Sequence, residues 1–220
     1  MPDEIKQLIF VASLIIILFL IVLLIIKLKS NKHYYNKNKK NKTLNKKIRK
    51  YSRNRDFLFL SDVFLPVENN QAVLIDNIIF GNKYIYVIAQ KHWEGQLKGF
   101  EYDTKWMIST KNVTKYVDNP LIGNRFKVRM LLNFLNEPDE DNVINIIALN
   151  NKTKFQEIQV QPLESIVSMT NLFKLIDEFE RNSPLNDIKE EEIEKIANMI
   201  YQESIRIAKT QKGWIKNVTK

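Results

Sequence analysis

Two apolar runs, Val73 to Phe80 and Tyr84 to Lys91, joined by the turn Phe80-Gly81-Asn82-Lys83, restrict this 220-residue chain more than any other feature. Each is apolar at nearly every position instead of every second one. Strands of that kind have no solvent face, so the pair belongs inside a sheet covered on both sides. Two charges interrupt the apolar pattern, Asp76 in the first run and Lys91 at the end of the second.

The neighbouring segments supply the rest of a domain. Phe57 to Pro66 reads as a strand ended by Pro66. Gly95 to Gly99 reads as a turn into a more polar stretch, Phe100 to Ile108, that fits a hairpin flap. Asn119 and Pro120 mark a helix start, and Phe126, Met130, Leu131, Phe134 and Leu135 give that helix an apolar face up to Glu137-Pro138. Asn142 to Leu149 and Phe155 to Val160 read as strands about the turn Asn150-Asn151. Between 163 and 180, Ile166, Met169, Phe173, Ile176 and Phe179 recur at helical spacing, with a break near Thr170. Ile188 to Ala208 is an amphipathic helix whose stripe, Ile193, Ile196, Ala197, Ile200, Ser204 and Ile207, suits packing on the domain.

Ahead of the domain, Leu8 to Ile26 holds nineteen residues of which only Ser13 is polar. As a helix it extends about 28 Å, the hydrocarbon thickness of a bilayer. Acids precede it and no small-residue cleavage site follows, so it reads as an uncleaved anchor and not a signal peptide. Residues 27–55 then carry thirteen Lys and Arg and no acid, which places the N-terminus outside and everything after Lys27 in the cytoplasm. This basic segment reads as a collar resting on anionic lipid; the competing reading is a nucleic-acid patch with Tyr34, Tyr35 and Tyr51 available for stacking. Residues 56–220 hold 20 basic against 23 acidic side chains, so the net charge of +9 belongs to the collar. The expected organisation is a short outer segment over 1–7, a transmembrane helix over 8–28, a basic linker over 29–54, a domain over 55–180, and a C-terminal helix and tail over 185–220.

Cysteine is absent and the two histidines, His33 and His92, are too few for a histidine-built zinc site. Any metal would therefore be held by carboxylates, which suits magnesium or manganese.

Taken in order, SDVFLP at 61–66, LIDNIIFGNKYIYVIAQKHWEGQLKG at 74–99, Trp106 and NPLIGNRFKVRMLLNFL at 119–135 resemble the nuclease-related domain, a bacterial branch of the restriction-endonuclease-like PD-(D/E)xK fold. The resemblance implies an α/β fold, a mixed sheet flanked by helices, with a site built from a helix Glu, a strand Asp, and the acid and Lys of a Glu-x-Lys strand. Clustered carboxylates there hold magnesium or manganese, which polarises phosphate and helps activate water, while the lysine stabilises charge. Asp76 matches the strand Asp, a metal ligand, and Lys91 matches the lysine, but Ala89 stands where the glutamate belongs. Between Glu4 and Asp56 there is no acid for the early helix, and Leu74 and Gly123 replace two family glutamines.

Glu94, Glu101 and Asp103 are the acids considered as replacements, while Gln90 should face away from Ala89 and Lys91 by strand alternation. With Asp76 as the one matched ligand, a divalent ion would be held weakly. The expected function is a membrane-anchored, catalytically degenerate domain that binds nucleic acid or a membrane-associated protein. An active magnesium- or manganese-dependent nuclease with a rearranged site is the first alternative, and a purely structural membrane scaffold the second.

Overall fold

The computed structural model describes residues 43–67, 71–136, 141–156 and 158–218, with side chains as far as residue 210, and the isolated positions Ile16 and Leu20. Ile16 and Leu20 are helical and exposed; the rest of the expected transmembrane helix, and the basic segment up to residue 42, lie outside the described residues. Among the described residues no helix is long and apolar enough to cross a membrane.

Leu44–Lys220 forms one compact unit. A helix over residues 43–53 (α1) is followed by β1 (Leu58–Val67), β2 (Gln71–Phe80), β3 (Ile85–Lys91), β4 (Gly95–Lys98), β5 (Lys105–Ser109), β6 (Thr114–Asp118), α2 (Pro120–Leu135), β7 (Val143–Leu149), β8 (Thr153–Phe155), β9 (Glu164–Ser168), α3 (Leu172–Asn182) and α4 (Glu190–Val218). Five strands form one mixed sheet in the order β1-β2-β3-β7-β9, and four form a second in the order β6-β5-β4-β8. In the larger sheet β1, β2 and β3 run antiparallel, and β3, β7 and β9 run parallel.

The two-sided apolar pattern of the central strands is explained by cover on both faces. On one face Ile78, Ile85 and Val87 pack against Val128 and Leu131 of α2 and Ala197 and Ile200 of α4. On the other, Ile79, Tyr86 and Ile88 meet Leu44 and Ile48 of α1 and Leu172 and Ile176 of α3. A third cluster joins the end of this sheet to the second one: Ala89, Ile147 and Leu149 with Leu97, Trp106, Ile108 and Leu121. The turn between β2 and β3 is clamped by Glu180 of α3, which accepts from the Asn82 and Lys83 amides at 3.1 and 3.2 Å and from the Tyr86 hydroxyl at 2.7 Å. A Cβ at Gly81 would lie 2.2 Å from that carboxylate, so a side chain there would have to push the Glu180 clamp aside. Burial is the main cause raising the Glu180 pKa.

Several segments differ from the sequence-based expectation, each for a local reason. β1 runs through Pro66 to Val67; it is an edge strand, where a missing N–H costs no interior ladder bond. Gly95–Lys98 is a strand, and the turn falls instead at 99–104, because Leu97 alone carries that short strand into the core. The strand Thr114–Asp118 was not anticipated, since only Val117 of its five residues is not exposed. The strand expected over Phe155 to Val160 is confined to Thr153–Phe155.

The helix expected from 163 to 180 is a strand, Glu164–Ser168, followed by Leu172–Asn182; Ile166 belongs to the strand and Met169 to the turn after it. Asn119 caps α2 as expected, accepting from the Leu121 amide at 2.9 Å, but the helix turns Leu121, Asn124, Val128, Leu131 and Leu132 inward and leaves Phe126 43% exposed. It stops at Asn136, which takes the left-handed conformation, one residue ahead of Glu137-Pro138. Tyr51 is not available to stack on bases: it stacks on Phe173 at 4.5 Å and donates to Asp177 at 2.6 Å. The stripe of α4 packs on the domain as expected, with Ala197, Ile200 and Ile207 buried and the Ser204 hydroxyl accepting from the Phe64 amide at 3.0 Å.

Candidate functional site

Asp76, Ala89 and Lys91 lie on the face of the larger sheet that α2 covers. The antiparallel register of β2 and β3 sets Asn77 opposite Ile88, and alternation then carries Asp76 and Ala89 to the other side, toward α2. The Asp76 carboxylate accepts from the Gln90 backbone amide at 3.0 Å through one oxygen and faces the Lys127 ammonium of α2 at 3.5 Å through the other. Gln90 points the opposite way, as alternation requires, and its amide donates to Asn45 of α1 at 2.8 Å. The helix from which the resemblance expects a glutamate is therefore present, and it offers an amide to the sheet instead. Lys91 lies at the end of β3 with its ammonium 5.9 Å from the Trp93 ring centroid.

Ala89 is 2% exposed and packed among Leu97, Trp106 and Ile147. The acids considered as replacements are committed elsewhere: Glu94 to Lys152 at 3.2 Å, Glu101 to Arg125 at 2.5 Å, and Asp103 to the Phe100 amide at 2.8 Å.

A second carboxylate does stand beside Asp76, and it is one that sequence reasoning passed over. Asp62 lies opposite Asp76 between the registered pairs Ser61 with Asn77 and Val63 with Ile75, and its φ of 55° marks a left-handed kink in β1. Burial, and then the Asp76 charge, raise its pKa. It sits within the quoted SDVFLP segment, but its place opposite Asp76 follows only from the hairpin register. A raised folded-state pKa means that the contribution of Asp62 to stability is present at low pH and is lost as pH rises through its folded pKa. Asp62→Asn, which tolerates the same backbone, should raise the unfolding free energy from urea titration at pH 7 by an amount on the order of 0.5 kcal/mol, kept small by the exposure of this side chain, and leave it unchanged at pH 3. An equal shift at both pH values would sink this account.

The donor set does not fit the magnesium or manganese ion that the resemblance implies. Hard cations of this kind want several carboxylate or carbonyl oxygens converging on one point. Among the described residues no group of three or more His, Asp or Glu side chains is placed to hold a metal ion. An ammonium faces the one matched ligand, and an apolar side chain fills the position of the second.

The strongest polar cluster lies elsewhere, between α2, β7 and β9. Arg125 donates through Nε and Nη2 to both oxygens of Glu164 at 2.6 and 2.5 Å, and through Nη2 to Glu101 at 2.5 Å. The hydrogen bonds to Glu164 are the first cause that raises its pKa. Asn145 donates to Glu164 at 2.9 Å, and Asn124 donates to Asn145 at 2.7 Å and to the Val87 carbonyl at 3.0 Å. These residues tie α2 to the sheet. Asn124 lies within the quoted segment 119–135, whereas Gly123 beside it faces open space, so the missing glutamine leaves no hole.

No curated protein and no solved structure matches the chain. The family model described as nuclease-related domain matches residues 31–167, well over half the chain, and spans α1, the larger sheet through β9, the second sheet and α2. The strand Asp, the strand Lys and the Asn-Pro helix start all lie inside that match, and the mixed sheets are consistent with a restriction-endonuclease-like fold. The chain belongs to the nuclease-related domain (NERD) family.

Proposed function

We propose that this chain is a membrane-tethered member of the nuclease-related family that binds nucleic acid at the cytoplasmic face without cleaving it. The observation that carries this reading is the pairing of Asp76 with Lys127 beside a buried Ala89: a cationic side chain occupies the ground a divalent ion would need, and a methyl group fills the position of the missing glutamate. A cation held by Asp76 alone would keep most of its waters and bind weakly. The tether is the apolar run over 8–28, oriented with the N-terminus outside by the basic collar that follows, and the collar rests on anionic lipid.

A second reading, a working magnesium- or manganese-dependent nuclease with a rearranged site, is favoured by Asp62, which sets a second carboxylate beside Asp76. Purified full-length protein, incubated with single- and double-stranded DNA and RNA in either metal, separates the two. The expected result is no cleavage by the wild type above the level of Asp76→Ala. Robust cleavage that Asp76→Ala abolishes would establish the second reading, and activity that emerges only in Ala89→Glu would support the first.

A further inference from the structure

The smaller sheet turns one face into the core and leaves the other open. Leu97, Trp106 and Ile108 point inward, so alternation places Lys98, Lys105, Met107 and Tyr116 on the outer face. The register aligns Lys98, Met107 and Tyr116 as one row across β4, β5 and β6, and Lys154, Gln96, Ser109 and Thr114 as the next. Neighbouring strands stand about 4.8 Å apart, so the first row sets a lysine and an aromatic ring on either side of Met107, and the second is a ladder of closely spaced hydrogen-bonding side chains. Lys98, Lys105 and Lys154 are exposed, Tyr116 is 70% exposed, and among the described residues no ion pair engages these lysines. Asp118, opposite Lys105, is the one acid that the four described strands turn to this face, with Glu94 and Lys152 paired at its edge.

We infer that this outer face is a binding platform for single-stranded nucleic acid, the lysines meeting phosphates and Tyr116 stacking on a base. Cations flanking an exposed ring on a sheet, with neutral hydrogen-bonding side chains between them, are what sequence-tolerant strand binding requires. Anionic lipid fits less well. The exposed apolar side chains Phe100 and Val113 lie in different turns, one before β5 and one after it, and do not follow each other along one element as a membrane wedge would. The inference rests on the binding reading above and gives it a surface that includes none of the Asp76 carboxylate's own partners.

The test uses the full chain in non-ionic detergent and a fluorescein-labelled oligo-dT at low salt. Tyr116→Ala should weaken binding about tenfold. The combined Lys98→Gln, Lys105→Gln and Lys154→Gln variant should weaken it by more than tenfold and reduce the salt dependence by about two units of slope. Reversal of Lys37, Lys39 and Lys40 in the collar measures that segment's share. Wild-type binding that both platform variants leave intact would overturn the platform and spare the binding reading; no wild-type binding at low salt would overturn both. Loss of binding to phosphatidylserine vesicles with oligo-dT binding intact would likewise overturn it, in favour of lipid. Lys98, Lys105, Lys154 and Tyr116 are exposed, so an unchanged thermal midpoint in the platform variants verifies that folding is intact.

Discussion

Arg125→Met is expected to destabilise the domain by about 3–5 kcal/mol, the usual cost of stranding a buried carboxylate without its partner. Glu164 is 7% exposed and receives two hydrogen bonds from Arg125, and Glu101, 14% exposed, receives a third. Removing the guanidinium leaves Glu164 with Asn145 as its remaining hydrogen-bond donor among those described. The loss is one of charge balance and not of volume, which the combined Arg125→Met and Glu164→Gln variant separates: it should recover at least half of the lost stability. Chemical denaturation of the three proteins measures this directly. A single variant within 1 kcal/mol of wild type would show that the cluster is a surface ion pair of the ordinary weak kind.

Trp106→Ala should cost a similar amount, about 3–5 kcal/mol, and should act on one part of the fold. The indole is fully buried between the two sheets, donates to the Phe100 carbonyl at 2.9 Å, and presses on Gly99 so closely that a Cβ there would lie 2.2 Å from the ring. Its removal takes away the largest side chain in the cluster that joins the smaller sheet to Ala89, Ile147 and Leu149. Hydrogen exchange should therefore show amides of 95–118 opening at lower free energy than those of β3 and β7, which keep both helical layers. Uniform loss of protection across both sheets would mean that the smaller sheet is not a separable unit.

Much of the larger sheet was legible before any coordinates. Unbroken apolar runs identify β2, β3 and β7 because a strand covered on both faces has no polar positions to confuse the period. The start of α2 was legible because Asn119 and Pro120 satisfy local backbone demands that depend on no distant residue. The smaller sheet was harder to read. Its strands are four, five, five and three residues long and bury one face at most, so they carry too few apolar positions to set a period. β9 reads as helix because it contributes Ile166 alone to the helically spaced series, and one position sets no period; pairing with β7 makes it a strand.

The candidate site divides in the same way. From the residues alone come the family match, the survival of Asp76 and Lys91, the missing acid at Ala89, and the strand alternation that turns Gln90 away, because these depend on residue identity and local periodicity. Tertiary structure alone decides that Lys127 faces Asp76, that Asp62 lies opposite it, that Glu101 belongs to Arg125, and that three lysines share a face with Tyr116. Each of those is a meeting of side chains far apart in sequence or set by hairpin register, and packing fixes such meetings after the local pattern has settled which strands exist.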